Sequence, residues 1–213
     1  MKFQELVALV GHLPVFPGSL LLAGERDPGD VRRQLARWNA AGQVLQLRRN
    51  VYVLAAPWRR VTPHPFVIAN ALHRPGYVSL QSALAHYGMI PESVPVTTSV
   101  TSGRPMAFTT PLGRYVSRHV RPALLFGYRR VPVLGDQEAL LADPAKALLD
   151  LMYLTPGGDS AEYLESLRLD GLEAIRARDL RAHARRWGKH KIDRAVEQIL
   201  RMKQPLERRA GAR

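Results

Sequence analysis

The sequence predicts an α+β protein in which a small helical unit ending in a β-hairpin precedes a larger mixed domain. Three observations lead to this prediction. Three helical segments and two β-rich runs fill residues 1–56, and short β-rich runs alternate with helices up to residue 154. Residues 160–203 have helical periodicity.

The composition indicates a globular protein with an anionic partner. The 213 residues are 46% apolar, contain no cysteine and carry a formal net charge of +13. The lack of cysteine excludes a disulfide scaffold, an iron–sulfur site and a thiolate zinc site, and suits a reducing compartment. Basic residues comprise 26 Arg and 5 Lys, and arginine holds phosphates with a planar fork. We therefore expect an anionic partner, and we favour a nucleic acid over a membrane surface.

Targeting and membrane segments are not predicted. Polar residues and prolines interrupt the apolar residues near the N-terminus, so no signal peptide is expected. No run approaches the roughly 18 apolar residues of a membrane-spanning helix. We expect a cytoplasmic protein without a membrane partner.

The third helix is the most strongly predicted element of the N-terminal unit. Asp27 suits the N-cap and Pro28 the first helical position. Helical periodicity continues to about residue 41, and Gly42 suits the C-terminal end. Shorter helices are predicted before it, at residues 3–10 and 18–23.

Two β-rich runs follow, at residues 44–47 and 51–54. The three residues between them predict a hairpin, and Asn50 in this turn can take a positive φ. Three helices followed by a hairpin is the element order of a winged helix-turn-helix. The third helix then becomes the recognition helix and the hairpin the wing.

The outer face of this third helix presents long basic side chains between small residues. Such a face can approach a DNA groove, where arginine reaches phosphates and guanine edges. The alternative is a solvated basic face. The predicted DNA-binding residues are Arg32, Arg33, Gln34 and Arg37 of the helix and Arg48, Arg49 and Asn50 of the wing.

Residues 57–65 are the predicted linker, because three prolines in nine residues do not build a helix or a central strand. The domains are then residues 1–56 and 66–204, with 205–213 as a disordered tail. In the second domain the predicted helices are 66–72, 80–87 and 144–154, and the predicted strands are 94–101, 106–110, 113–119, 125–133 and 138–142.

The C-terminal part is predicted to be helical throughout residues 160–203, with Asp179 as a helix cap. A basic run there indicates either a second anionic contact or a solvated helix face. It consists of Arg181, Arg185, Arg186, Lys189, Lys191 and Arg194.

Two segments of the second domain are more distinctive than the general pattern. They are residues 77–91, YVSLQSALAHYGMIP, and residues 141–153, LADPAKALLDLMY. Together with the hairpin they resemble the AbiEi family of antitoxins over most of residues 20–155. The chain departs from the family at Ala145 and Asn50, where members more often have glutamate and glycine.

The resemblance implies an N-terminal winged helix, a C-terminal antitoxin domain and a bacterial toxin–antitoxin operon. It implies that the protein represses its own promoter, at inverted repeats in double-stranded DNA. It also implies neutralisation of a nucleotidyltransferase-like toxin, either by direct binding or without a stable complex.

Four residues of these two segments have predicted physical roles. Lys146 and Asp150 are four residues apart and can form a structural ion pair on one helix face. Ser79 suits a helix N-cap, and Tyr87 suits a packed ring with a bonded hydroxyl.

Catalytic residues, a metal site and a cofactor are not predicted. The seven histidines are scattered, and the sequence has neither a cysteine nucleophile nor a glycine-rich phosphate loop. Asp143 with Lys146 comes nearest to a metal nuclease, but Ala145 stands where a second acid is needed. Three hypotheses remain: a DNA-binding antitoxin, a transcriptional regulator with a C-terminal sensor domain, and a nuclease.

Overall fold

A computed structural model of the chain describes residues 1–22, 27–91 and 94–210, with side chains described as far as Lys203. The described part has a mixed α+β structure with a two-stranded sheet and a six-stranded sheet. The predicted α+β class is therefore confirmed.

The N-terminal unit contains its helices and hairpin in the predicted order. Its elements are α1 (Phe3–Val10), a 3₁₀ helix (Gly18–Leu22), α2 (Pro28–Ala40), β1 (Val44–Arg48) and β2 (Val51–Leu54). The Asp27 carboxylate caps α2 by accepting a hydrogen bond from the Asp30 amide at 2.9 Å, as the sequence predicts. Asn50 takes the expected positive φ, of 63°. The predicted end of the short helix, Ala23, lies outside the described residues.

A small apolar core holds this unit together. Leu6 and Val10 of α1 are fully buried against Leu35 of α2. The loop after α1 is attached to the hairpin by a β-bridge between Phe16 and Tyr52, whose rings stack 5.8 Å apart. The bridge places the start of the 3₁₀ helix beside the hairpin turn.

The predicted linker is irregular up to Pro65, where α3 (Pro65–Leu72) begins. It nevertheless packs closely onto the N-terminal unit. The Trp58 ring lies edge-on to Phe3 at 5.2 Å, and the Arg60 amide donates to the Gly11 carbonyl at 2.9 Å. These contacts restrict its freedom as a hinge.

The second unit is built on the six-stranded sheet, with strand order β5-β6-β4-β3-β8-β7. The strands are β3 (Gly76–Val78), β4 (Val96–Thr101), β5 (Ala107–Thr110), β6 (Gly113–His119), β7 (Tyr128–Leu134) and β8 (Gln137–Ala142). All five predicted strands are present, but β3 was not predicted because three residues are too short to show alternation. Strand β3 pairs antiparallel with β4 and parallel with β8, so it joins the two halves of the sheet.

The remaining helices are α4 (Leu80–His86), α5 (Pro144–Leu154), α6 (Ala161–Ser166), α7 (Ala177–Trp187) and α8 (His190–Ala210). The prediction that residues 160–203 are helical throughout is wrong, since irregular residues with Gly171 at φ 64° separate α6 from α7. None of the helices in the described ranges is long and apolar enough to cross a lipid bilayer.

Two predictions about the ends of the last helices need revision. Asp179 is not an N-cap. Arg176 occupies the cap position of α7, and the Asp179 carboxylate pairs with the Arg176 side chain at 2.7 Å within the first turn. Helix α8 continues to Ala210, beyond the predicted start of the disordered tail at residue 205, and residues 211–213 lie outside the described part.

The two units share a packed interface. Leu47 and Val53 of the hairpin belong to the same apolar cluster as the core of the second unit. The guanidinium of Arg48 donates a hydrogen bond to the Leu72 carbonyl at the end of α3. The hairpin therefore supports the second unit as well as the first.

Gly76 of β3 is a position where only glycine fits. A Cβ there would meet the carbonyl oxygens of His73 and Val100, the latter at 2.5 Å, and both belong to backbone that cannot easily move. We expect Gly76→Ala to lower the free energy of unfolding by about 2–4 kcal/mol, as measured by urea denaturation.

Gly103→Ala is the matched control for Gly76→Ala. Its added Cβ would meet only the Thr101 hydroxyl, at an ordinary 3.4 Å. We expect this substitution to change the free energy of unfolding by less than about 0.5 kcal/mol. Equal effects of the two substitutions would contradict the packing described for β3.

Candidate nucleic-acid interface

The outer face of α2 presents cations to solvent because the opposite face packs into the core. Val31 and Leu35 are buried, whereas Arg32, Arg33 and Arg37 are exposed. Gln34 and Trp38 lie at the margins and are partly buried. The basic outer face that the sequence predicts for this helix is therefore present.

Two exposed arginines of α2 have weak local contacts with other described residues. Arg33 forms an ion pair with Asp30 one turn earlier, with side chains 72% and 61% exposed. The Arg32 Nε donates to the Pro28 carbonyl at 3.1 Å. Such exposed pairs contribute about 0–1 kcal/mol, so a phosphate could replace these partners at small cost.

The hairpin turn presents Arg49 and fixes Asn50. The side chain of Arg49 is exposed. The Asn50 Oδ1 accepts a hydrogen bond from the Ser19 amide at 2.9 Å, which fastens the turn to the 3₁₀ helix. The amide oxygen of Asn50, predicted to contact DNA, is thus engaged inside the protein.

Arg48 has a different position from the one expected of a wing-tip contact. Its guanidinium binds the Leu72 carbonyl and it is only partly exposed. No local pattern indicates this bond, which joins residues 24 positions apart. Arg48 is therefore a structural link between the two units.

A hollow of about 410 Å³ lies between α2, the 3₁₀ helix and the hairpin turn. Arg32 of the helix and Arg49 and Asn50 of the turn all line it. The structure thus brings three of the predicted DNA-binding residues to one hollow, while Arg33 and Arg37 lie on the exposed part of α2.

The predicted ion pair between Lys146 and Asp150 is present, and both side chains are completely buried. The second Asp150 oxygen accepts hydrogen bonds from the Ser79 hydroxyl at 2.8 Å and the Tyr77 hydroxyl at 3.0 Å. Ser79 occupies the cap position of α4 but makes no capping bond with its side chain. The predicted capping role of its hydroxyl is therefore wrong, because the hydroxyl binds Asp150.

Aromatic rings enclose the Lys146 ammonium. The Nζ lies 4.7 Å from the ring centres of Phe126 and Trp187 and 5.4 Å from that of Tyr77. Contacts of this kind stabilise a desolvated cation. The sequence did not predict that Tyr77, Phe126 and Trp187 surround Lys146, since these contacts join distant parts of the chain.

Burial dominates the electrostatics of this cluster. Desolvation lowers the pKa of Lys146 and raises the pKa of Asp150, and the attraction between them opposes both shifts. Desolvation, followed by the nearby Asp150 carboxylate, raises the pKa of Tyr77. The hydroxyl of Tyr77 therefore stays protonated and available as a donor to Asp150.

Asp143 caps α5 by accepting a hydrogen bond from the Lys146 amide at 2.8 Å. Its other oxygen lies 3.0 Å from Nε2 of His183 on α7, a contact that the sequence did not indicate. Tyr87 is packed as predicted, and its hydroxyl donates to the Ala142 carbonyl at 3.1 Å. Within the described ranges, no group of three or more potential ligands is placed to hold a metal ion.

The buried ion pair makes Lys146 a sensitive position. We expect Lys146→Met to lower the free energy of unfolding by about 3–5 kcal/mol, because Asp150 then remains buried without a cation. Urea denaturation at neutral pH would measure the change. The double variant Lys146→Met/Asp150→Asn should lose less than the sum of the single variants.

Lys189→Met is the matched control, since Lys189 is exposed. We expect it to alter the free energy of unfolding by less than about 0.5 kcal/mol. A Lys146→Met variant as stable as this control would contradict a structural role for the ion pair.

Comparison with known proteins gives no independent assignment. No protein-family model matches the chain. A search of curated proteins also finds no match.

Proposed function

We propose that this chain is the antitoxin of a bacterial toxin–antitoxin system, which binds promoter DNA of its own operon and neutralises a nucleotidyltransferase-like toxin. The observation that supports DNA binding most directly is the basic outer face of α2 beside the hairpin turn. Arg32, Arg33 and Arg37 are exposed on the helix, and Arg49 is exposed on the turn. Under this proposal, the unit acts as a winged helix-turn-helix.

The proposed docking places α2 in the major groove and the hairpin beside the neighbouring backbone. Small residues on the outer face of α2, such as Gly29 and Ala36, let the helix approach the groove floor. Arg33 and Arg37 then reach base edges or phosphates, and Arg49 reaches a phosphate. Arg48 has no place in this contact, because its guanidinium binds the Leu72 carbonyl.

The antitoxin part of the proposal rests on the sequence resemblance in the second domain. Tyr77, Ser79, Lys146 and Asp150 belong to the two resembling segments and form the buried cluster. Those residues stabilise the domain and are not exposed to a partner. The surface that neutralises the toxin must therefore consist of other residues.

The test is a double substitution, Arg33→Ala/Arg37→Ala, measured by fluorescence anisotropy with promoter DNA. We expect a loss of about tenfold or more in affinity, since each arginine contact with a base or phosphate is worth about 1–3 kcal/mol. Growth rescue on co-expression with the neighbouring toxin gene should be unchanged, because the second domain is intact.

Arg104→Ala/Arg121→Ala removes the same charge from exposed positions of the second unit and serves as the control. Equal promoter affinity of the two double variants would refute the recognition-helix assignment. Promoter binding without any growth rescue would instead favour the alternative, a transcriptional regulator whose second domain senses a ligand.

A further inference from the structure

A cleft of about 900 Å³ lies between the two units, beside the proposed DNA-binding face, and the two share Arg49 of the hairpin turn. Its walls are the β1–β2 turn, the end of α3 with the loop that follows it, and the edge formed by β7 and β8. A volume of this size suits a small molecule, and such sites often lie between domains.

The cleft is strongly basic. Four arginines line it, with a single acidic residue, Glu138. Their side chains come from three parts of the chain: Arg48 and Arg49 from the hairpin, Arg74 from the loop after α3, and Arg130 from β7. The lining thus has a formal excess of three positive charges, which attracts an anion of similar charge.

The floor of the cleft is held in place by hydrogen bonds. The Asn70 side chain accepts from the Leu140 amide at 2.6 Å and donates to the Leu140 carbonyl at 3.2 Å, which joins α3 to β8. The bond of Arg48 to the Leu72 carbonyl fixes one cation against the same helix. A site with fixed walls binds a ligand with a smaller loss of conformational entropy.

The other cations have capacity for a ligand. Arg74 and Arg49 are exposed and form no side-chain hydrogen bond or ion pair with the described residues. Arg130 lies 3.7 Å from Glu138, in an exposed pair that an anion could replace. Arginine binds phosphate oxygens in a bidentate manner, so several arginines around one cleft favour a ligand with more than one phosphate.

A second pocket, of about 680 Å³, lies beside α5 and α7 but has no such excess of charge. Its Arg176 is paired with Asp179 and its His183 with Asp143. The interunit cleft, defined by Arg48, Arg49, Arg74, Arg130 and Glu138, is therefore the better anion site.

We propose that the interunit cleft binds a small molecule that carries a diphosphate group. Arg49, Arg74 and Arg130 hold the diphosphate oxygens, and the organic part lies against apolar lining residues such as Val67 and the partly exposed ring of Tyr128. Duplex DNA fits this site less well, because a convex duplex reaches the rim of a cleft and not its floor.

A ligand in the cleft weakens DNA binding, and this part of the inference rests on the proposed function. Arg49 and Asn50 line both the interunit cleft and the hollow beside α2. A diphosphate that engages Arg49 removes this cation from the DNA contact. Binding of the two ligands is therefore mutually unfavourable, and the effect is reciprocal.

The experiment is isothermal titration calorimetry of the full chain with inorganic pyrophosphate, without DNA. We expect saturable binding that Arg74→Gln/Arg130→Gln weakens by at least about tenfold, equivalent to 1.4 kcal/mol. Arg104→Gln/Arg121→Gln, which removes the same charge elsewhere, should leave the affinity within about twofold. Circular dichroism would verify that all variants are folded.

Three results would overturn the proposal. The first is the absence of saturable pyrophosphate binding, and the second is equal weakening of that binding in both double variants. The third is a loss of promoter affinity in Arg74→Gln/Arg130→Gln as large as that in Arg33→Ala/Arg37→Ala, which would assign the cleft arginines to duplex DNA. Because the titration contains no DNA, its result is independent of whether the chain binds a promoter.

Discussion

The buried ion pair between Lys146 and Asp150 is the constraint on which the second unit depends. Removing two ions from water costs several kcal/mol each, and a pair offsets this cost only when its remaining polar atoms are also satisfied. Asp150 obtains its other hydrogen bonds from Tyr77 on β3 and from Ser79 at the start of α4. Phe126, in the loop before β7, and Trp187 of α7 enclose the ammonium. Strand β3 and helices α4, α5 and α7 must therefore assemble together.

This dependence joins the two distinctive segments of the second unit. One segment supplies Tyr77 and Ser79, and the other supplies Lys146 and Asp150. Each segment contributes two of these four residues, and a buried polar network destabilises the fold when some of its polar atoms lack partners. These four residues therefore serve the architecture of the second unit, and the exposed surfaces decide what the protein binds.

Predictions based on local sequence signals were accurate, whereas residue roles that depend on long-range contacts were not predicted. Helices α2 and α5 each begin with a capping aspartate followed by proline, and both starts were correctly predicted. The role of Ser79 was missed because its hydroxyl binds a residue 71 positions away. The same reason applies to Arg48 and to the contact of His183 with Asp143, which spans 40 positions. Asp179 was misassigned because a carboxylate in the first turn of a helix resembles a cap in sequence.

Net charge by itself is a poor guide to where this protein binds anions. The basic run of α7 and α8 contains several cations that serve internal contacts. Lys191 donates to the Tyr153 and Thr155 carbonyls, and Arg194 pairs with Asp159 at 2.6 Å. The exposed cations of the hairpin and of the loop after α3 are fewer, but Arg49 and Arg74 remain available to a ligand. The pairing of each cation, and not its position in a basic run, therefore determines which surface can bind phosphate.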